Sequence, residues 1–302
     1  MDLFSEQHIH PMLMYETQPF NDADFIFELK LDGIRCIAYL DPKNVQLRNK
    51  RNKDITALYP ELSQIKQCVK KKCILDGELI ALTDGKPDFY QLQSRSLMSD
   101  AFKIRLAAQR NPILFVAYDI LYFNGEELTD KPLMRRKEIL GKNIIEGHGL
   151  ALSRWIEQDG VAFFDSAKQQ DLEGIVAKNK NSIYHIGRRT RDWLKIKVMQ
   201  DEDVVICGYQ PDGDGMVKDL VLGYYDGDAL RYRGKVFLGV SKEVRKTVFE
   251  FARKNKRERP PKGFKRADGI IWIKPQIEGT VHFMQETPNG TMRQPVFKGL
   301  KE

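Results

Sequence analysis

Cysteine is scarce in this chain. There are four in 302 residues, Cys36, Cys68, Cys73 and Cys207, with no Cys-x-x-Cys pair, which argues against a disulfide framework and against a cysteine zinc site. The segment Met1–Phe20 has no apolar core flanked by a basic stretch, and no long apolar run follows it. Neither a signal peptide nor a membrane span is expected, and the reading is of a reduced, cytoplasmic protein. Also missing are the phosphate-cradling Gly-x-x-x-x-Gly-Lys-Ser/Thr loop, a His-x-x-x-His pair and a Gly-x-Ser-x-Gly elbow. P-loop, metalloprotease and serine-hydrolase chemistry lose their usual carriers. The five histidines are dispersed, and His185 and His282 read as surface or structural groups. Repeats and low-complexity segments are absent.

What is present is a charged chain with enough apolar content for one large or two ordinary cores, 30% charged and 42% hydrophobic. A net charge of +7 suggests a polyanionic partner. Strands are expected at 24–31, 36–40, 45–48, 73–82, 113–123, 174–178 and 193–198, and helices at 60–70, 88–98, 132–140 and 161–170. Strands and helices do not alternate one for one, so the expectation is an antiparallel α+β fold rather than a doubly wound sheet. After about Gln200 the pattern changes to short β-like runs, Val204–Tyr209, Leu220–Tyr225, Leu230–Val236 and Gly269–Lys274, separated by Asp/Gly turns. About five strands and one helix suit a small barrel of the oligonucleotide-binding kind. The expected domains are 1–199 and 200–302, with a hinge near Val198–Asp203.

The basic charge is concentrated in one stretch. Between Lys242 and Arg266 stand 11 Lys/Arg and 3 Glu, a net of +8 against +7 for the whole chain. Val244, Val248 and Phe251 have helical spacing after Ser241, and Arg257–Arg266 reads as a basic loop. Such a strip suits phosphate-backbone contact, with Lys254, Lys256 and Arg257 as candidates.

The chemistry centres on Lys30. In Glu28-Leu29-Lys30-Leu31-Asp32-Gly33-Ile34-Arg35 the apolar and charged residues alternate. Lys30 should therefore project from the polar face of a half-buried strand, between two carboxylates. These eight residues alone leave two readings: a solvated lysine on an edge strand, or one whose proton is displaced by burial or a neighbouring cation such as Arg35 and which becomes a nucleophile. Four later segments add to it: Asp76-Gly77-Glu78-Leu79, the aromatic run Phe115-Val-Ala-Tyr118-Asp119, Glu173-Gly174-Ile175-Val176-Ala177-Lys178, and Trp193-Leu194-Lys195-Ile196-Lys197. Together they offer a nucleophile, carboxylates for a hard cation, paired lysines for phosphate and an aromatic for a base.

In order and approximate spacing these motifs resemble the ATP-dependent DNA ligases of the covalent nucleotidyltransferase superfamily, from about Met12 to Lys301. The run Arg188–Trp193 and the closing Thr291-Met-Arg293-Gln-Pro295-Val-Phe-Lys298-Gly-Leu look most like the ligase modules of bacterial end-joining systems. The resemblance implies an antiparallel-sheet adenylation domain followed by an OB-fold barrel. It implies ATP and Mg2+ (or Mn2+) as cofactors, and Lys30 as the residue that takes AMP as a phosphoramidate. Glu28 would help seat adenine and Tyr118 would stack on it. Asp32, Glu78 and Glu173 would bind ribose or the metal. Arg35, Lys195 and Lys197 would hold the AMP phosphate, and Arg293 would orient the leaving pyrophosphate. The family commonly has Ser-Arg where this chain reads Asn49-Lys50-Arg51-Asn52-Lys53-Asp54. Lys50 and Arg51 therefore stay alternatives for gripping the 5′-phosphate at a break, and a lysine lacks the bidentate fork. The acidic-basic ending common after Lys298-Gly-Leu stops at Glu302.

The implied substrate is nicked or broken double-stranded DNA, sealed in repair by a minimal two-domain monomer. That enzyme would work with a Ku-type end-binding protein and beside the nucleoid in a bacterium. The second domain is expected to rotate about the hinge between reaction steps. Rival readings are an RNA ligase, a GTP-using capping guanylyltransferase, or a non-catalytic nucleic-acid-binding module. The last predicts decay at Lys30 and its carboxylates, which the sequence does not show.

Overall fold

The structure, a computed structural model, describes residues 2–265 and 267–301. The chain divides into two compact units, Met1–Val198 and Met199–Glu302.

Two sheets carry the first unit. One has the order Leu13–Glu16, Arg189–Lys197, Gly174–Asn179, Asp22–Leu29, Trp155–Gln158; the other runs Leu150–Leu152, Leu114–Phe123, Cys73–Ile80, Ile34–Leu40, Val45–Asn49. Both are antiparallel except for one edge pair each, 13–16 beside 189–195 and 150–152 beside 115–117, which are parallel. The expected antiparallel sheets are thus mixed at their edges, because strands distant in sequence close them.

Alternation along Asp22–Leu29 explains how the sheets stack. Phe27 turns outward into a cluster with Ala167, Ile175, Ala177 and Ile196 beneath the helix Gly160–Gln169. Ile26 turns the other way and shares a cluster with Ile37, Tyr39, Ile74 and Tyr118 of the second sheet. The second sheet's far face is covered by the segment Pro60–Cys68, whose Leu62 and Ile65 are buried there. That segment was expected as an α-helix over 60–70 and is a 3-10 helix. Burying every phase of a sheet sandwiched on both faces is the apolar driving force of this unit.

The inner face of this strand is not the one that sequence alternation suggests. The strand ends at Leu29, so Lys30 lies one residue beyond it, and the apparent polar face is the interior one. Glu28 is 2% exposed, whereas Leu29, expected inside, is 38% exposed. The face that looked solvated is turned toward the second sheet, where ion pairs replace water.

In the second unit, Ala229–Val236, Val217–Asp226, Gln200–Pro211, Ile271–Phe283 and Lys256–Arg257 form one sheet, with Val296–Leu300 added to the 271–283 strand. This is six strands where five or so were expected. The helix Lys242–Asn255 is capped by the Ser241 side chain, which accepts from the Val244 N–H at 3.2 Å, and it buries Val244, Val248 and Ala252. These join Ile206, Leu222, Val281 and Phe297 in a single core. Arg233, buried, ties three segments together: its fork reaches Glu202 at 2.8 and 2.5 Å, and its other donor serves Glu286 and the Gly290 carbonyl. The stretch Val198–Asp203, expected as a linker, is mostly strand. Gln200–Asp203 is already paired with Phe283–Thr280, which leaves Val198 and Met199 between the strands.

Candidate active site

Strand register builds the site row by row. Across the first sheet, Glu28 pairs with Val176 and Val176 with Lys195; Ile26 pairs with Lys178 and Lys178 with Trp193. These residues share the face turned toward the second sheet, where Arg35 pairs with Glu78. Between the sheets lies a cleft of about 180 Å³ lined by residues that include Glu28, Lys30, Arg35, Glu78, Tyr118 and Lys178.

Two glycines make the close approaches possible. The Lys30 N–H donates to the Gly174 carbonyl at 2.9 Å. A Cβ on Gly174 would meet the Ile196 carbonyl at 2.1 Å, with φ at +138°, and one on Gly33 would meet the Leu79 carbonyl at 2.2 Å. The glycines that follow Glu173 and Asp32 are thus what lets the three motif segments converge.

Lys30 Nζ stands 2.6 Å from Glu173 Oε1, both side chains largely enclosed. Glu78 faces the same point, and burial pushes its carboxyl up to about 8, against the opposing pull of Arg35 and Lys30. Glu173 adds to the upward push. Added positive charge would favour ionised Glu78, so this pair fits a divalent cation. Among the described residues no group of three His, Cys, Asp or Glu converges on a metal position. The structure therefore does not gather Asp32 with Glu78 and Glu173 as a ready trio. A magnesium ion held by one or two carboxylates and completed by phosphate oxygens and water does not need one.

Glu28 is saturated. It accepts from Lys137, from Lys178 Nζ at 3.0 Å and from Ser153 Oγ at 3.1 Å. Burial alone would raise its carboxyl, but the two ammonium groups outweigh burial and hold it below the usual range. Burial pulls the Lys178 ammonium down to about 8, despite Glu28. Its Nζ lies 4.2 Å from the Tyr118 ring centre and 4.1 Å from that of Trp193. Lys137, Ser153, Lys178 and Trp193 were not among the expected site residues. Lys178 and Trp193 sit inside the quoted motifs, so the alternation rule could have found them; Lys137 and Ser153 carry no local signal.

Arg35 donates to both oxygens of Asp76, at 2.7 and 2.5 Å. Asp76 is fully buried and also accepts from the Tyr184 hydroxyl at 2.6 Å. Two Arg35 donors are thus committed to a buried pair rather than open to a phosphate. Lys195 and Lys197 lie on one face, as expected, and share Glu16 at 3.3 and 3.1 Å. Burial, then Lys197, lowers the Lys195 ammonium.

The remaining candidates lie elsewhere. Lys50 and Arg51 are exposed on a turn after Val45–Asn49, where the Asn49 side chain accepts from the Arg51 and Lys53 N–H groups at 2.9 and 3.1 Å. Arg293 closes the short strand Met292–Arg293 of the second unit. Lys254 lies in the last turn of the helix of that unit, and Lys256 and Arg257 follow it. Arg266, the end of the basic strip, lies outside the described residues.

Residues 11–197 match the model of the ATP dependent DNA ligase domain, and residues 213–302 that of the ATP dependent DNA ligase C terminal region. The chain belongs to the ATP-dependent DNA ligase family. It is 30% identical over 297 residues to the SPbeta prophage-derived DNA ligase-like protein LigB of Bacillus subtilis, covering 97% of this chain and 99% of that one. It is 30% identical over 302 residues to the multifunctional non-homologous end joining protein LigD of Mycolicibacterium smegmatis, covering 96% of this chain but only 38% of that protein. A solved structure of mycobacterial DNA ligase D complexed with ATP and MES aligns over 100% of this chain and 96% of that one, with a TM-score of 0.58 and 26% identity. The first unit is accordingly an adenylation domain and the second an OB-fold domain. No helix among the described residues is long and apolar enough to cross a membrane.

Proposed function

We propose that this chain seals breaks in double-stranded DNA through a lysyl-AMP intermediate on Lys30. The observation that carries the assignment is the meeting of Lys30, Glu173 and Glu78 at the mouth of an enclosed cleft with Lys195 and Lys197 on the adjoining strand. In the first step Lys30 Nζ attacks the α-phosphorus of ATP; a P–N bond forms, the bond to the β-phosphate oxygen breaks and pyrophosphate leaves. Glu173, at 2.6 Å, is placed to receive the proton that Lys30 sheds. In the second step an oxygen of a DNA 5′-phosphate attacks the same phosphorus, and the amine leaves with its proton restored. In the third a 3′-hydroxyl attacks the 5′-phosphorus and AMP departs.

Lys195 and Lys197 hold the α-phosphate, while Glu28 and Tyr118 border the adenine position. Glu78 and Glu173, joined by Asp32 at the ribose, would hold Mg2+ (or Mn2+), which would supply charge neutralisation at the phosphates. Arg35 is fixed by Asp76 and shapes the pocket wall beneath the nucleotide. Arg293 orients pyrophosphate, and Lys50 or Arg51 grips the 5′-phosphate. The kinship with LigD supports end joining in repair; a monomer that works with a Ku-type end-binding protein near the nucleoid is part of the proposal.

The test is incubation with α-labelled ATP, and separately GTP, followed by denaturation. A covalent adduct with ATP that is absent in Lys30→Ala, and its transfer to nicked DNA, is the expected result. An adduct with GTP alone, or sealing of nicked RNA in preference to DNA, would overturn it.

A further inference from the structure

The outer face of the second unit's sheet carries a cluster separate from its main core. Cys207, Val221, Phe264 and Trp272 pack together there, with Leu230 and Ile270 against them. Three aromatic rings step outward from it. Trp272 meets Phe264 edge-on at 6.0 Å, and Phe264 meets Tyr232 edge-on at 5.4 Å. Their exposures rise in that order, 5%, 8% and 39%. Tyr232 is therefore the open end of a braced column, not a loose surface ring.

The exposed end opens into a groove of about 620 Å³. Its walls include Arg231, Arg257 and Lys262, with Pro261 and Pro275 as rigid apolar surface and Asp228 as the one acid. Arg257 pairs with Trp272 in register, so it rises on the same face as the aromatic column. Arg231 is also 3.4 Å from Asp226, a solvent-exposed pair that a phosphate can replace. A fixed ring at the floor and cations along the rim match a flexible strand of nucleotides. The cations follow the backbone, and the ring takes a base. A double helix meets only half of this, because its bases are already stacked on one another.

We propose that this groove binds single-stranded DNA, with an unpaired base stacked on Tyr232 and the flanking phosphates on Arg231, Arg257 and Lys262. The inference deepens the ligase reading and rests on DNA being the substrate; the ligand it names is the unpaired overhang of a broken end.

The test is fluorescence anisotropy with a labelled oligo-dT and, separately, a blunt duplex, without ATP, on the full chain. Tyr232→Leu is expected to weaken oligo-dT binding roughly tenfold, the range of one lost base–aromatic stack, with duplex binding unchanged. Tyr232→Phe is expected to bind like the parent, which separates stacking from folding. Unchanged oligo-dT binding in Tyr232→Leu, equal losses on both DNAs, or tighter binding of an RNA strand of the same length would overturn the proposal. Adduct formation at Lys30 is read separately, so a failed ligase assignment and a failed groove give different results.

Discussion

Glu28 and Lys30 stand two residues apart on the same segment and face the same cleft, yet they are built for opposite purposes. Glu28 is 2% exposed and its oxygens are taken up by Lys137, Lys178 and Ser153. Lys30 lies just past the strand end, held through its backbone to Gly174 and facing Glu173 and Glu78. A buried charge with complete partners is a fixed part of the wall. A lysine at the cleft mouth, ion-paired with Glu173 and beside Glu78, whose carboxyl burial pushes up to about 8, is where the proposed chemistry needs a group that can change its bonding. Sequence alternation assigned both residues to one polar face; depth along the strand is what separates them.

The sharpest way to break the comparison is at Lys30. Lys30→Ala should abolish the labelled AMP adduct while leaving the thermal unfolding midpoint close to the parent's. A retained adduct would mean that another residue carries the nucleotide. Glu28→Ala should do the reverse in kind: it leaves the Lys137 and Lys178 ammonium groups uncompensated in the interior, costing about 3–5 kcal/mol of stability. Chemical denaturation would measure it, and a loss below about 1 kcal/mol would show that Glu28 does not hold the two lysines in the wall.

The same contrast explains what the sequence revealed. Lys30, Glu78, Glu173, Lys195 and Lys197 were legible as candidates because each lies in or beside a segment that alternation or a short apolar run marks as a strand. The Lys137 and Ser153 contacts were not, because they reach Glu28 across 109 and 125 residues, and nothing in the Arg135–Glu138 charge run or around Ser153 points to that carboxylate. The helix Ala101–Arg110 went unread for a related reason: its largest apolar side chains do not share a face, Ile104 being buried while Phe102 and Leu106 are exposed. The edge strand Leu13–Glu16 is defined by its parallel partner more than 170 positions away and by nothing in its own four residues. Arg35 shows the limit of a motif. Its place beside the cleft was legible, but its commitment to Asp76 depends on two strands being in register.

Lys178 sharpens the comparison through pH. Burial lowers its ammonium from the ordinary 10.5 to about 8 in the folded protein. The folded chain thus gives up this proton more readily than the unfolded one, and the associated stability is complete above 10.5 and lost as pH falls through about 8. Thermal midpoints followed from pH 7.5 to 10.5 should therefore rise for the parent relative to Lys178→Met, which has no such proton to release. Parallel curves would show that Lys178 keeps an ordinary affinity for its proton.

The smallest expected effect is at Ser153, whose hydroxyl donates to Glu28 at 3.1 Å. Removing it leaves Glu28 with its two lysine partners, so the loss is that of one hydrogen bond to a charged group in a site still neutralised. Ser153→Ala should cost about 1.5–3 kcal/mol if the bond has its full charge-assisted strength, and nearer 1 kcal/mol if the lysines tighten in compensation. The lower figure is expected, because Lys137 and Lys178 both reach Glu28 on flexible stems that can close the gap. Ser153→Ala should also retain the Lys30 adduct. If it lost the adduct with its stability intact, Ser153 would belong to the nucleotide's own contacts, and the division between a fixed wall and a reactive mouth would have to be redrawn at Glu28.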